Sequence, residues 1–201
     1  MGWLFDPLKP CAYTVILADP PTRWESFTPF ESAKGPDYAT MSPAWLRSLP
    51  VGHLAAGDCL LWLWSTMPQL QLSLGLLEAW GFRYVTGGSW IKRTIHGRVA
   101  FGTGQVLQSG AEVYLIGARG RPPYVRRPVP GVIETLEESD AALAGMLPTV
   151  LEAQRREHSR KPDEQYAIID TLMGDVPRCE LFARTCWPGW EAWGDQIGKF
   201  G

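Results

Sequence analysis

Cysteine and histidine are scarce in this sequence, and their spacing matches no familiar metal site. Its 201 residues include four cysteines and three histidines. Cys11, Cys59, Cys179 and Cys186 are scattered, with no C-x-x-C pair and no neighbouring histidine. We therefore expect no structural zinc site and no other bound metal. Because no export signal accompanies the cysteines, we expect buried free thiols rather than disulfides.

Long apolar runs are also absent. The opening segment lacks a basic start followed by an uninterrupted apolar stretch, since Asp6, Pro7 and Pro10 interrupt it. No window offers the roughly 20 apolar residues that crossing a bilayer requires. We therefore expect a cytoplasmic protein without a membrane partner, as a monomer or a homodimer. With 45% hydrophobic residues, the chain can bury one core, which predicts a single domain over residues 1–201, interrupted by an insertion at about residues 128–148.

Neither sign of charge dominates the chain. The formal net charge of −2 argues against nucleic-acid binding driven by overall charge. Positive charge concentrates at Arg119–Arg127 and Arg155–Lys161, and acidic residues gather between these two segments. Each basic cluster is either a solvated surface or a contact for phosphates.

Short apolar runs alternate with helical patterns, which predicts an α/β fold with a largely parallel sheet flanked by helices. The predicted strands are Tyr13–Ala18, Asp58–Ser65, a stretch around Gly88–Ile91, Glu112–Gly117 and Arg178–Arg184. The predicted helices cover Ala44–Leu49 after a Ser42 cap, Pro68–Trp80 before Gly81, and a segment that opens at Lys161–Glu164. The glycine-rich segment Gly97–Gly110 suits a loop that contacts a ligand closely.

The first predicted strand ends in Asp19, followed by Pro20 and Pro21. In open parallel sheets, ligands bind at the carboxyl ends of the strands. A carboxylate and a proline carbonyl at that point could accept both hydrogens of a planar amine, and the prolines would hold the two acceptors in place. A rigid turn without chemistry is the alternative for an isolated D-P-P tripeptide.

Ten segments resemble the MT-A70 family of adenine-N6 methyltransferases, in particular its short bacterial and phage-type members, and they occur in the order found in the family. They are Val15–Pro21, Tyr38–Met41, Leu60–Trp64, Glu78–Val85, Trp90–Lys92, Phe101–Gly104, Gly117–Pro122, Arg156–Glu164, Glu180–Arg184 and Pro188–Gln196.

The resemblance implies a Rossmann-like S-adenosylmethionine-dependent methyltransferase fold in permuted order, with the catalytic strand first. This order explains why no G-x-G-x-x-G follows an early strand. The resemblance also implies roles for individual residues. Those implied to hold the target amine are Asp19, Pro20 and Pro21. Those implied to contact the cofactor S-adenosylmethionine are Lys161, Phe182, Arg184, Asp195 and Gln196. Those assigned to the nucleic-acid substrate are Trp24, Tyr38, Arg156 and Arg160.

Two positions depart from the family pattern. Thr22 stands where the family has a tryptophan that stacks near the target adenine, and base–aromatic stacking is worth roughly 1–3 kcal/mol. Trp24, two residues later, is our candidate for the missing ring. Asp195 stands where the family has asparagine, and a carboxylate can still accept hydrogen bonds from ribose hydroxyls.

The sequence therefore predicts methylation of the adenine N6 amine in nucleic acid, and we favour DNA over RNA. An RNA enzyme would share every residue named above. A non-catalytic nucleic-acid-binding or partner subunit is a second alternative, and Thr22 supports it. An enzyme acting on a glutamine or cytosine amine is a third, because acid–Pro–Pro sites can present any planar amine.

Overall fold

The structure of the chain is a computed structural model, which describes residues 2–22, 40–102, 107–124, 150–157 and 160–200. In these ranges the strands are β1 (Tyr13–Ala18), β2 (Ala55–Ser65), β3 (Arg83–Arg93), β4 (Ala111–Arg119), β5 (Val150–Gln154), β6 (Arg178–Leu181) and β7 (Glu191–Trp193). The α-helices are α1 (Pro43–Ser48), α2 (Leu70–Ala79) and α3 (Glu164–Met173).

All seven strands form one sheet in the order β5-β3-β4-β2-β1-β6-β7. The pairs β1–β2, β1–β6, β3–β5 and β6–β7 are parallel, whereas β4 is antiparallel to both β2 and β3. The prediction of a largely parallel sheet in a Rossmann-like fold is confirmed. The insertion predicted at about residues 128–148 lies outside the described residues, and the single-domain organisation stays a prediction.

Both faces of the sheet are buried, as the apolar character of its central strands requires. Residues of β2 alternate between two hydrophobic clusters, with Leu61 on one face and Leu60 on the other. Helices α1 and α2 cover the first face, and α3 covers the second with Ile168 and Ile169. Four tryptophans of the core are at most 2% exposed: Trp62, Trp64, Trp80 and Trp90.

Local signals set the ends of the helices. The Ser42 hydroxyl accepts a hydrogen bond from the Trp45 amide at 3.2 Å, which confirms the predicted cap of α1. Gly81, with φ +82°, follows α2 in the left-handed conformation that glycine adopts readily. Helix α2 begins later than predicted, because Met67–Gln69 forms a separate 3-10 turn before it.

The sequence interpretation was wrong or incomplete at several places. Strands β5 and β7 were not predicted, since both are short and lack a clear apolar pattern. The predicted strand to Arg184 ends at Leu181, because Phe182 has φ +61° and cannot continue a strand. All four cysteines are free, but only two are buried: Cys11 and Cys186 lie in exposed turns outside the core.

Within the described part of the chain, no helix has the length and apolarity needed to cross a membrane. The same residues contain no group of three or more His, Cys, Asp or Glu side chains arranged to hold a metal ion.

Candidate active site

The site lies at the carboxyl edge of the sheet, where β1 ends between two parallel neighbours. Ala18, the last residue of β1, pairs with Leu63 of β2 on one side and Leu181 of β6 on the other. Because parallel strands end at the same edge, Asp19 comes to lie between the segments that follow β2 and β6. This position follows from strand order alone.

A solvent-open cavity with about 870 Å³ of empty space occupies this edge. All residues predicted for catalysis and for the cofactor line it: Asp19, Pro20, Pro21, Lys161, Phe182, Arg184, Asp195 and Gln196. Residues that were not predicted complete the wall: Thr22, Met41, Trp64, Ser65, Thr66 and Glu112. The cavity thus collects segments from the beginning, middle and end of the chain.

The two prolines after Asp19 form a turn that is fixed through its carbonyl groups. The Thr22 amide donates to the Pro20 carbonyl at 2.8 Å, and the Met41 amide donates to the Pro21 carbonyl at 2.9 Å. A carbonyl oxygen has two lone pairs, so the Pro20 oxygen retains one acceptor position. The turn is therefore rigid and still able to accept a hydrogen bond from a ligand.

The carboxylate of Asp19 is paired with two cations. Lys161 Nζ lies 2.9 Å from it, and Arg184 Nη2 lies 2.7 Å from Oδ2. These three side chains are only 12–17% exposed. An ionised carboxylate offers about four acceptor positions, so Asp19 keeps acceptor capacity beside these two partners.

Lys161 also contacts a second carboxylate, Glu112 of β4, at 3.1 Å. Glu112 in turn is paired with Lys92 of β3. Burial alone would raise the pKa of Glu112, but Lys161 and Lys92 lower it to about 2. Burial would likewise lower the pKa of Lys161, but Asp19 and Glu112 outweigh it and keep that pKa above its usual value. Glu112 and Lys161 are therefore both ionised near neutral pH.

The aromatic ring of Trp64 forms part of the same wall. Lys161 Nζ lies 5.6 Å from its ring centroid, within the range of a cation–π contact. The ring is fixed because Trp64 Nε1 donates to Gln165 Oε1 at 2.6 Å. Trp64 therefore belongs both to the core and to the cavity wall.

A smaller, solvent-open cavity beside the first shares Asp19, Lys161 and Arg184 with it. Glu180 of β6 lines it, is 8% exposed and accepts a hydrogen bond from the Tyr166 hydroxyl at 2.8 Å. Burial raises the pKa of Glu180 to about 7, although the Tyr166 hydrogen bond acts in the opposite direction. Glu180 is therefore a buried acid that is partly protonated near neutral pH.

The predicted substrate-side residues are only partly described. Trp24 and Tyr38 lie outside the described residues. Arg160 pairs with Glu157 and Asp163 and lines the smaller cavity. Arg156 pairs with Asp163 at 2.7 Å, and its side chain is 38% exposed. Both arginines therefore lie beside the site, and Arg156 is the more accessible one.

Three tryptophans near the carboxyl terminus pack against the protein rather than line the main cavity. Trp187 stacks on Tyr166 with ring centroids 4.4 Å apart, and Trp190 meets the same ring edge-on. Trp193 contacts Phe182 and donates from Nε1 to the Leu4 carbonyl. These three rings therefore contribute to packing.

Glu112, Thr66 and Glu180 are functional candidates that sequence reasoning missed. Glu112 lies near the beginning of a strand, whereas the rule that ligands bind at the carboxyl ends of parallel strands points to residues after a strand. Glu112 reaches this edge only because β4 runs antiparallel to its neighbours. Thr66 directly follows β2, so the same rule would have identified it as a candidate site residue. Its Oγ1 atom is buried, lacks a hydrogen-bond partner and belongs to the cavity wall. Glu180 was read only as part of a strand motif.

Fold and site together place the chain among the Rossmann-like methyltransferases. Comparison with known proteins identifies the family: the MT-A70 model matches residues 13–196, and the chain therefore belongs to the MT-A70 family. It is 30% identical to the type II methyltransferase M.MunI of a Mycoplasma species, over 96% of this chain and 82% of that protein.

Two eukaryotic relatives are similar over most of this chain but only part of their own length. The N(6)-adenosine-methyltransferase MT-A70-like protein of Arabidopsis thaliana is 32% identical, over 92% of this chain and 24% of that protein. The N(6)-adenine-specific methyltransferase METTL4 of Mus musculus is 30% identical, over 96% of this chain and 40% of that protein. The chain thus spans less than half the length of these two relatives.

Proposed function

We propose that this protein transfers a methyl group from S-adenosylmethionine to the N6 amine of adenine in nucleic acid, with DNA preferred over RNA. The observation that carries the proposal is the position of Asp19 and Pro20 in the wall of one cavity, where Lys161 and Arg184 hold the Asp19 carboxylate and the Thr22 amide holds the Pro20 carbonyl. Two relatives, the type II methyltransferase M.MunI and the N(6)-adenine-specific methyltransferase METTL4, support it.

The residues of the cavity fit this cofactor, which would supply an electrophilic methyl group on a sulfonium centre. Lys161 would bind its carboxylate, and Asp195 and Gln196 would accept or donate hydrogen bonds at the ribose. Thr66 Oγ1, a buried polar atom without a protein partner, would gain one in the ligand. Phe182 and Arg184 would border the adenosyl group.

The adenine amine is a weak nucleophile because its lone pair is delocalised into the ring. Asp19 and the Pro20 carbonyl would each accept one amine hydrogen, which favours a tetrahedral nitrogen with its lone pair directed at the methyl group. The Thr22 amide holds the Pro20 carbonyl, and Lys161 and Arg184 hold the Asp19 carboxylate, so these acceptors would need little reorganisation. The cofactor would supply the methyl group, with its sulfur–carbon bond breaking as the nitrogen–carbon bond forms, and the amine held by Asp19 and Pro20 would then lose one proton.

Contacts with nucleic acid would surround this site. Arg156 and Arg160 are our candidates for phosphate contacts, which would help to hold a flipped nucleotide. Trp24 and Tyr38 are candidates for stacking on the target base, and Trp24 would replace the ring that Thr22 lacks. The preference for DNA is supported by M.MunI, the relative whose length this chain matches over 82%. A cytoplasmic location and a monomeric or homodimeric state stay predictions from the sequence.

A non-catalytic nucleic-acid-binding or partner subunit is the second candidate function. Thr22 favours it, because this residue lines the cavity without the aromatic ring that the family pattern has there. Calorimetry with S-adenosylmethionine separates the two: binding in the micromolar range supports the enzyme, and no binding at high micromolar cofactor supports the partner subunit.

The direct test is incubation with labelled S-adenosylmethionine and a mixture of DNA and RNA, followed by nucleoside analysis. We expect label in N6-methyldeoxyadenosine, and Asp19→Ala should lower the rate at least about 100-fold, since it removes one of two fixed acceptors. Asp175→Ala, a change at a fully exposed carboxylate outside the cavity, is the matched control and should leave the rate unchanged.

Label in N6-methyladenosine of the RNA would overturn the DNA preference and leave the reaction type in place. Equal label with wild-type protein and Asp19→Ala would overturn the mechanism.

A further inference from the structure

The edge of the sheet at which the cavity opens also carries exposed apolar side chains. Among the described residues, the four most exposed large apolar side chains are 60–81% exposed: Met67, Ile95, Phe101 and Leu107. The first follows β2, and the other three lie in the connection from β3 to β4. Strand β3 runs in the same direction as β1 and β2, because β4 is antiparallel to both β2 and β3. All four side chains therefore belong to the carboxyl edge, and such a concentration is typical of a surface that binds another molecule.

Beyond β3 the chain forms a short two-stranded ribbon whose turn, Thr94–Arg98, we call the ribbon tip. The Ala100 amide donates to the Lys92 carbonyl, and the Thr94 amide donates to the Arg98 carbonyl, both at 2.7 Å. The Arg98 amide also donates to Thr94 Oγ1 at 3.2 Å. These hydrogen bonds fix the backbone of the ribbon tip, so the tip presents its side chains in a defined position.

The ribbon tip combines an apolar side chain with nearby cations. Ile95 is 76% exposed, and Arg98 in the same turn is exposed as well. The Arg155 amide donates to the Arg93 carbonyl at 2.8 Å, which places the exposed Arg155 beside the base of the ribbon. Within the part of the chain that the structure describes, neither Arg98 nor Arg155 is paired with a carboxylate. Apolar base faces and anionic phosphates together make a nucleic acid complementary to this surface.

The ribbon is connected to the candidate catalytic aspartate through consecutive ion pairs. Lys92, at the base of the ribbon, is paired with Glu112. Glu112 lies 3.1 Å from Lys161, which lies 2.9 Å from Asp19. Strand β3 is the third strand from β1, and the spacing between strands places the two strand ends roughly 14 Å apart. The ribbon tip therefore stands beside the cavity that would receive a base.

We propose that the ribbon tip is a wedge for double-stranded DNA: Ile95 enters the base stack where the target adenine has left it, and Arg98 and Arg155 bind the flanking phosphates. The inference rests on the proposed function for the identity of the flipped base, and it adds a preference for a duplex. A base inside a duplex must leave the stack to be modified, and an inserted apolar side chain offsets part of the cost. A two-stranded ribbon is also of a size that the major groove of B-DNA, about 12 Å wide, admits.

The first measurement compares methylation of genomic DNA that lacks N6-methyladenine, as a sheared duplex and after strand separation. Ile95→Ala should lower the ratio of the duplex rate to the single-strand rate about 10- to 50-fold, because three carbon atoms no longer pack against bases. Ile95→Met keeps an apolar side chain of similar size and should retain most of the ratio. Leu74→Ala, a change at an exposed leucine of α2, is the matched control and should leave the ratio unchanged.

A second measurement does not depend on methyl transfer. Permanganate oxidises thymines that are not stacked, and the thymine opposite a flipped adenine loses its pairing partner. With S-adenosylhomocysteine present, wild type should raise the permanganate reactivity of thymines in duplex DNA severalfold. Ile95→Ala should abolish most of this increase, whereas Leu74→Ala should retain it.

The salt dependence of duplex binding tests the two arginines. Arg98→Gln and Arg155→Gln should each reduce the slope of log Kd against log salt concentration by about 1, because one phosphate contact is lost. Lys9→Gln removes an exposed charge that precedes β1, at the opposite edge of the sheet, and should leave the slope unchanged.

Equal rate ratios for wild type and Ile95→Ala, or thymine reactivity that does not respond to wild type, would overturn the wedge. A change of oligomeric state in Ile95→Ala at an unchanged rate ratio would overturn it too, and would show that this surface contacts protein. If wild type transfers no methyl group to adenine, the proposed function fails, and thymine reactivity still decides whether the ribbon tip opens a duplex.

Discussion

At the scale of single residues, the site is governed by buried charge. Asp19, Lys161 and Arg184 are each less than a fifth exposed, and such groups are stable as ions only when they are paired. Removing one partner would leave an uncompensated charge beside the cavity. Asp19→Asn, which keeps the shape of the side chain but not its charge, is therefore a useful companion to Asp19→Ala.

Glu180 provides a prediction about pH and stability. Its pKa is raised to about 7 from 4.5 in the unfolded chain, so the folded protein binds a proton that the unfolded chain releases. The stability this contributes is complete below pH 4.5 and is lost as the pH rises through 7. A pKa difference of one unit corresponds to about 1.4 kcal/mol. We therefore expect the free energy of unfolding of Glu180→Gln, relative to that of wild type, to rise by on the order of 2–3 kcal/mol between pH 5 and 8.

Urea denaturation at several pH values measures this difference. Glu112, whose pKa is lowered to about 2, acts in the opposite sense: its contribution is present above pH 4.5 and is lost only as the pH falls towards 2. Glu112 therefore does not change the stability difference between pH 5 and 8. A pH-independent difference between Glu180→Gln and wild type would contradict the prediction.

At the scale of structural elements, the connection around β6 and β7 shapes the cofactor side of the cavity. Phe182, directly after β6, has φ +61°, a left-handed conformation that costs energy for a residue other than glycine. The Ala183 amide donates to the Trp193 carbonyl at 3.0 Å and ties this turn to the end of β7. Gly194 then passes close to the same turn, which brings Asp195 to the cavity.

Gly194→Ala tests this close approach. A Cβ atom at this position would lie 2.8 Å from the Ala183 nitrogen and 2.9 Å from both the Ala183 oxygen and the Phe182 carbonyl carbon. Because these are backbone atoms, the two segments would have to separate, and we expect a loss of about 1–3 kcal/mol in stability together with weaker cofactor binding.

The matched control is Gly57→Ala in β2, where an added Cβ meets no atom within 4 Å. It should change the free energy of unfolding by no more than about 0.5–1 kcal/mol. Equal stability and cofactor affinity for both variants would show that the close approach at Gly194 has no role.

At the scale of the whole molecule, the cavity exists only in the folded protein. Lys161 is 142 residues from Asp19 in the sequence, and Arg184 is 165 residues from it. A ligand that needs all three therefore binds the folded state alone, and binding stabilises that state by mass action.

S-adenosylmethionine should accordingly raise the thermal midpoint of the protein. At a cofactor concentration 100 times the Kd, the free energy of unfolding rises by about 2.7 kcal/mol. This corresponds to an increase of roughly 5–10 °C in the thermal midpoint for a chain of this size. Differential scanning fluorimetry across a cofactor titration measures it. In Lys161→Met the shift should be absent or strongly reduced, while Lys9→Met, a change at an exposed lysine that does not line the cavity, should retain it. A full shift in Lys161→Met would exclude this lysine from the binding site.

The sequence by itself determined the local chemistry of this protein and its family. Acid–Pro–Pro at a strand end, the serine cap of α1 and the alternating apolar strands are properties of neighbouring residues, so they are readable along the chain. The resemblance of the ordered segments to the family also predicted the site residues Lys161, Phe182, Arg184 and Asp195. The structure places all four in one cavity with Asp19.

Only the tertiary structure decided which charges meet. The apolar pattern of β4 does not determine its direction, because a strand buried on both faces has the same pattern whether it is parallel or antiparallel to its neighbours. Its antiparallel pairing with β2 and β3 places Glu112, the second residue of the strand, at the edge where the parallel strands end. The pairing of Glu112 with Lys161 is therefore a consequence of sheet order, which arises from long-range packing rather than from any local segment.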